Sequence, residues 1–240
     1  MFAENLLYSR HGLLIHTGPL SRPSYLRRSL EKDGLAGIKE NKLAAYCAIP
    51  LTSAPEELQP FMSQRQATII DILKEAGITG YDPKTAPFSP DRGLSIKPDE
   101  VSRFDTGRIA GARFFTLLDL LPSTGVGIEE RVAYDYNRIA VILHDRNIRT
   151  TRMQTNRSIR LQYDNLEEQR EQLVEVFRFL QTFEPGMGFD NGEPVLLGFQ
   201  GRRVVNLEKE IYEAFPNLRY EYDEHVPAIK LLADNPKVLE

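Results

Sequence analysis

The sequence predicts an α/β fold, a parallel sheet sandwiched between helices, and three observations lead to it. Short continuous apolar runs, LAAYCAIPL (43–51), RFFTLLDLL (113–121) and IAVILHD (139–145), have the form of strands buried on both faces. Segments with apolar residues at helical spacing separate them. The stretch from RFFTLLDLL through PSTGVG and IEERVAYDYN to IAVILHD makes one strand–helix–strand unit, and such alternation builds a parallel sheet covered on both sides.

Taken in order, residues 1–43 hold two short apolar runs broken by Gly18, Pro19 and Pro23, with a candidate helix from Ser24; they form an N-terminal extension or packing arm. LAAYCAIPL is the first strand of the sheet. Ile69, Ile70, Leu73 and Ala76 then recur at helical spacing, and Gly77 is placed to end that helix. ITGYD (78–82) is a second strand. PKTAPFSPDRGLSIKP (83–98) is too irregular for a core element, and so long a loop is more often functional than idle. Pro98, Asp99 and Glu100 start a helix that runs towards Gly111, with a proline entry and acids favoured by the helix dipole. The strand–helix–strand unit follows, with PSTGVG as its turn. SIRLQY is a further strand, followed by a helix whose stripe is Leu173, Val174, Phe177 and Leu180. After a break at EPGMGFDNGEP, VLLGF, NLEKEIYEAF and LRYEYDEHV give strand, helix and strand, which extend the sheet or form a small lobe. The expected fold is a Rossmann-like, flavodoxin-like sandwich at 44–165, flanked by extensions at 1–43 and 166–240.

Composition narrows the function. With 240 residues, 41% of them hydrophobic, the chain is long enough for a real core. Its net charge of −4 and dispersed Lys and Arg lack the basic stripe of a protein that wraps long nucleic acid. A single cysteine, Cys47, forms no disulfide within the chain and points to the cytoplasm. The four histidines lack metal-ligand spacing, so no metal is expected. No apolar stretch approaches the roughly 20 residues that span a bilayer, and no secretory signal pattern opens the chain, so neither a membrane partner nor secretion is expected.

In a parallel α/β sheet, ligands bind at the carboxyl ends of strands, where PSTGVG sits. Gly125 and Gly127 let the backbone approach an anion, and Ser123 and Thr124 add hydroxyls. Glu129 then falls in the expected first helical turn. It is either an acid that complements the helix dipole or a carboxylate held at the end of a phosphate-binding loop. A second acid bears on the choice. Val101, Asp105 and Ile109 fall at i, i+4 and i+8, so Asp105 shares a face with apolar residues. It either meets a buried partner such as Arg103 or Arg108, or points into a pocket with Glu129. Two carboxylates flanking one bond suit retaining glycosidic cleavage, and a phosphate-cradling turn beside them suggests a nucleotide's sugar.

The segment from Asp105 through Ile109, Ala112, Pro122, Ser123, Gly125, Val126, Gly127 and Glu129 to Ala133, together with YCAIP, resembles the nucleoside 2-deoxyribosyltransferase family. The resemblance spans about residues 43–165 and is nearest to the branch of 2′-deoxynucleoside 5′-monophosphate N-glycosidases. It implies Glu129 as the nucleophile that forms a glycosyl-enzyme intermediate, Asp105 as the acid/base partner, and Tyr46 as the residue that positions the nucleophile. Pro50 closes the first-strand pattern and, with Ser123, Thr124, Gly125 and Gly127, falls among the substrate-binding residues. A serine at 123, where transferases commonly carry an aspartate, implies a bound 5′-phosphate and hydrolysis more than transfer. Ser158 resembles a serine given to the neighbouring subunit's phosphate site, which implies a homodimer. No organic cofactor is implied.

Three positions depart from the family pattern: Ile49 replaces a glycine, Arg113 an acidic residue, and Glu130 a small or apolar one. The arginines 138, 146, 149, 152, 157 and 160 form either a solvated or interface surface or an anion clamp. Asp82 either contacts a base or starts a turn. The resulting expectation is cleavage or transfer of the N-glycosidic bond of a nucleoside or nucleotide. The alternatives are a nucleotide sensor without chemistry and an interaction scaffold on the same fold.

Overall fold

The computed structural model describes residues 6–8, 14–16, 38–50, 54–85, 97–148, 157–223 and 225–226. Strands β1 (Leu6–Tyr8) and β2 (Leu14–His16) precede β3 (Asn41–Ala48), helix α1 (Gln59–Glu75), β4 (Thr79–Tyr81), α2 (Pro98–Gly111), β5 (Ala112–Leu118), α3 (Thr124–Asp135) and β6 (Ile139–Asp145). Then come β7 (Ile159–Tyr163), α4 (Arg170–Leu180), β8 (Glu184–Asp190), β9 (Glu193–Gln200), β10 (Arg203–Asn206) and α5 (Leu207–Ala214). The candidate helix at Ser24 and most of the proline-rich loop lie outside the described residues.

The fold is α/β, with a Rossmann-like parallel sheet in the order β4-β3-β5-β6-β7. Every residue of β5 and β6 is buried, which is why both read as mainly apolar runs. Period-two alternation divides their side chains between two faces. On one face Ala45, Cys47, Phe114 and Val141 pack with Met62 and Ile69 of α1 and Leu173 and Phe177 of α4. On the other, Tyr46, Ala48, Phe115 and Ile142 pack with Ile109 of α2 and Val126 and Ala133 of α3. Ile49 belongs to the first face, with Leu58 and Met62, away from Tyr46. Gly77, at φ 81°, takes the left-handed conformation that ends α1.

A second, antiparallel sheet in the order β1-β2-β8-β9-β10 joins the N-terminal strands to the C-terminal part. Here the structure corrects the sequence reading. EPGMGFD, read as a break, is strand β8, and β10 was not anticipated. Asn191 and Gly192, at φ 52° and 86°, form the two-residue turn between β8 and β9, and Asn-Gly suits such a turn because both positions need positive φ. LRYEYDEHV is not a strand: a 3-10 turn covers Pro216–Leu218, and Arg219 makes a single bridge to Leu161.

The second sheet packs onto the first: Phe183, Leu196, Val205 and Leu207 belong to the same buried cluster as α1 and α4, which runs across position 165 without a break. Arg113, 1% exposed at the start of β5, adds an ionic tie between the sheets. It pairs with Glu40 at 2.9 Å and with Glu184 of β8 at 3.1 Å, and donates to the Phe183 carbonyl. Arg138 is held by the same Glu40. Gly198 of β9 lies tightly under Phe183 and Leu207 of α5. A Cβ there would lie 2.8 Å from Phe183 Cδ1 and closer still to Leu207 Cδ2, both fully buried. Gly198→Ala is expected to destabilise the protein by about 1–3 kcal/mol, as overpacking does, measured as a lower urea midpoint with an unchanged m-value.

Candidate active site

Three side chains named from the sequence converge on the face covered by α2 and α3. Tyr46, near the C-terminal end of β3, is fully buried there, its ring stacked on Phe115 with centroids 6.1 Å apart. Its hydroxyl donates a 2.8 Å hydrogen bond to Glu129 Oε1. Asp105, half-buried in the middle of α2, is the second carboxylate at that hydroxyl. Ile109, one turn on, is anchored in the core below, so the apolar face places Asp105 beside Tyr46.

Glu129 is not a first-turn acid. α3 begins at Thr124, four residues earlier than expected, because TGVG forms its first turn and not a separate loop. Glu129 therefore sits in the second turn, past the region where the helix dipole acts strongly. Its setting is the buried contact with Tyr46.

Burial dominates the electrostatics of the trio. It pushes the Glu129 carboxyl up to about 7; the nearby Asp105 charge adds to the rise and the Tyr46 hydrogen bond opposes it. Burial also raises Asp105, again with Tyr46 opposing. Tyr46 itself is driven far above the usual phenol range by burial and then by the two carboxylates, so it stays a hydrogen-bond donor.

Ser123 caps α3: its Oγ accepts from the Val126 amide at 3.5 Å. Thr124, Gly125 and Gly127 lie exposed in the first turn. A Cβ at Gly127 would meet nothing within 4 Å, and one at Gly125 only Ser123 Oγ at 3.8 Å. Packing does not require either glycine, although each costs the helix about 1 kcal/mol relative to alanine. The start of α3 is thus left open on its outer side. Pro50 is buried directly after β3. Ser158 is fully buried just before β7, the edge strand three places from β3, so it joins neither the Tyr46 cluster nor the outer surface.

Other residues named from the sequence have partners away from the trio. Asp82 starts a turn, accepting from the Lys84 amide at 2.8 Å. Arg160 is held by Glu208 and Arg146 by Asp164, while Arg149 and Arg152 lie outside the described residues. Glu130 is bonded to Tyr134 along its own helix. Tyr81, Phe104 and Arg108, which the sequence reading did not assign to the site, stack together next to Tyr46, with Phe104 and Arg108 flanking Asp105 along α2. The Tyr81 ring lies 5.6 Å from that of Tyr46 and 6.3 Å from that of Phe104, and the Arg108 guanidinium sits over Tyr81 at 4.8 Å. The strand register could have found Tyr81, since it pairs directly with Tyr46 across β3 and β4.

Two partly buried carboxylates beside one phenol can hold a proton between them and put negative charge on one oxygen, which suits nucleophilic and acid/base chemistry at one centre. Among the described residues, no group of three His, Cys, Asp or Glu side chains is placed to hold a metal, and no helix is long and apolar enough to cross a membrane.

No family model and no curated protein matches the chain. Among solved structures, it is similar to a CMP N-glycosidase from Clostridium botulinum at 15% identity and a TM-score of 0.40, over 54% of this chain and 96% of that one.

Proposed function

We propose that the protein cleaves the N-glycosidic bond of a nucleoside 5′-monophosphate, with Glu129 as nucleophile, Asp105 as acid/base and Tyr46 positioning Glu129. The observation that carries this reading is the Tyr46 hydroxyl bonded to Glu129 beside a second, half-buried carboxylate. The Tyr46 hydrogen bond supports charge on Glu129, while burial and the Asp105 charge favour its neutral form, so of the two ways to share one proton the arrangement with the charge on Glu129 and the proton on Asp105 is the less populated. That arrangement is the reactive one. The Glu129 oxygen bonds to C1′ as the C1′–N bond breaks, and the base nitrogen takes its proton from Asp105. Water then attacks C1′, Asp105 recovers a proton from it, and Glu129 leaves as a carboxylate.

The open start of α3 supports a phosphate on the sugar. Ser123, the Thr124 hydroxyl and the unencumbered Gly125 and Gly127 offer donors and room at a helix N-terminus, where an anion is favoured. Ser123→Asp tests this without endangering the helix, since aspartate is as good a cap as serine. The substitution is expected to lower kcat/KM for 5′-monophosphates tenfold or more, by roughly the cost of opposing like charges, while leaving nucleosides nearly unaffected. Chromatographic assay of released base from both substrate sets measures it. Equal losses for the two sets would remove the phosphate from the proposal.

A further inference from the structure

Tyr81 carries a polar atom that its surroundings leave without use. Its ring is wedged between Tyr46 and Phe104, with Arg108 over it, yet its hydroxyl oxygen is buried and has no hydrogen-bond partner among the described residues. A buried hydroxyl without a partner costs about 1–3 kcal/mol, and a phenylalanine would give the same ring contacts without that cost. The Asp105 charge adds to the effect of burial in raising the Tyr81 pKa. Asp105, Phe104 and Arg108 come from neighbouring positions on α2, so the acid/base group shares one rigid element with two of the residues around Tyr81, which itself ends β4.

This inference rests on the roles proposed above for Glu129 and Asp105. If Asp105 protonates the departing group, that group leaves on the Asp105 side of the site, where Tyr81, Phe104 and Arg108 stand. We infer that Tyr81 recognises the leaving group: its hydroxyl donates a hydrogen bond to a ring nitrogen or carbonyl oxygen of a planar heterocyclic base lying against the wall of Tyr81, Phe104 and Arg108. Such a base offers acceptors at its edge, and its flat face suits a wall of aromatic rings and a guanidinium plane. The bond strengthens as the base gains electron density during C1′–N cleavage. Tyr81 is thereby a specificity-determining residue that also assists departure.

Tyr81→Phe tests the inference. The variant is expected to melt at the wild-type temperature or above, because the buried hydroxyl it loses has no partner among the described residues. Its kcat/KM for the preferred monophosphate is expected to fall about three- to tenfold, the value of one neutral hydrogen bond, and preference among CMP, UMP, AMP and GMP is expected to flatten. Unchanged kcat/KM across the four substrates would overturn the assignment. A second arm separates it from the proposed reaction: calorimetric binding of free cytosine, uracil, adenine and guanine to Glu129→Gln and to Glu129→Gln/Tyr81→Phe. If the wild type releases no base, the proposed reaction fails, and this arm still decides the role of Tyr81. A three- to tenfold weaker affinity in the double variant supports it; equal affinities, or no binding of any base, overturn it.

Discussion

Glu129→Gln is expected to lower base release by roughly ten-thousandfold or more, since an amide cannot form the glycosyl-enzyme intermediate. The substitution keeps the shape of the side chain and an oxygen that can accept from Tyr46, so the hydrogen bond of 2.8 Å has a counterpart in the variant. Loss of activity then reports loss of the nucleophile and not collapse of the site. Single-turnover assay with the best monophosphate, read as free base by chromatography, measures it. A variant retaining activity within tenfold of wild type would remove Glu129 from the reaction.

The same variant is expected to be more stable than wild type, and only in a defined pH range. Glu129 has its carboxyl raised from an ordinary 4.5 to about 7 in the folded protein. Between those values the folded state keeps a proton that the unfolded state has lost, so wild-type stability falls as pH rises through this window and the whole penalty is present above about pH 7. The penalty is on the order of 3 kcal/mol. Glutamine has no charge to desolvate and removes it. At pH 8 the variant is expected to melt roughly 6 °C or more above wild type, and at pH 4 the two should nearly coincide. A catalytic carboxylate held against its solvation preference has this signature, stability given up for function. Equal melting temperatures at pH 8 would mean that Glu129 ionises as freely as a surface acid.

The parts of the molecule legible in the sequence are those whose signal is local. β5 and β6 read correctly because both faces of each are buried, which makes most of their positions apolar; Arg113, Thr116, His144 and Asp145 are buried polar exceptions. Asp105 stood out because an acid at helical spacing between Val101 and Ile109 conflicts with the face it shares. The start of α3 was misplaced because glycine is the usual mark of a turn, and nothing local says that Gly125 and Gly127 lie inside a helix. β8 was missed for a related reason. Its Pro185, Gly186 and Gly188 are poor strand formers, although Asn191-Gly192 carried the hairpin signal. The tie among Arg113, Glu40, Glu184 and Arg138 joins residues far apart in the chain, and no spacing rule reaches that far. Tyr81 and Arg108 belong to the same class: their significance lies in which rings the fold stacks beside Asp105.

Asp105→Asn is expected to lower kcat by about a hundred- to ten-thousandfold, the usual contribution of a positioned proton donor, and to change the shape of the pH profile. In the wild type the two carboxyls titrate as a pair, and the reactive form holds one proton between them. Part of the rise of Glu129 to about 7 comes from the Asp105 charge, so the last proton leaves the pair near that pH. Wild-type kcat/KM should therefore fall as pH rises through about 7. With asparagine at 105 there is no shared proton to lose, and the only requirement left is an ionised Glu129. Burial still holds that carboxyl up, but without the neighbouring charge it titrates lower than in the wild type. The residual activity of the variant is thus expected to rise with pH and level off below 7, opposite in sign to the wild-type limb. A substrate whose leaving group needs no protonation should recover most of the lost rate. If the variant kept the wild-type alkaline limb, that limb would belong to another group, and Asp105 would be a packing residue of α2.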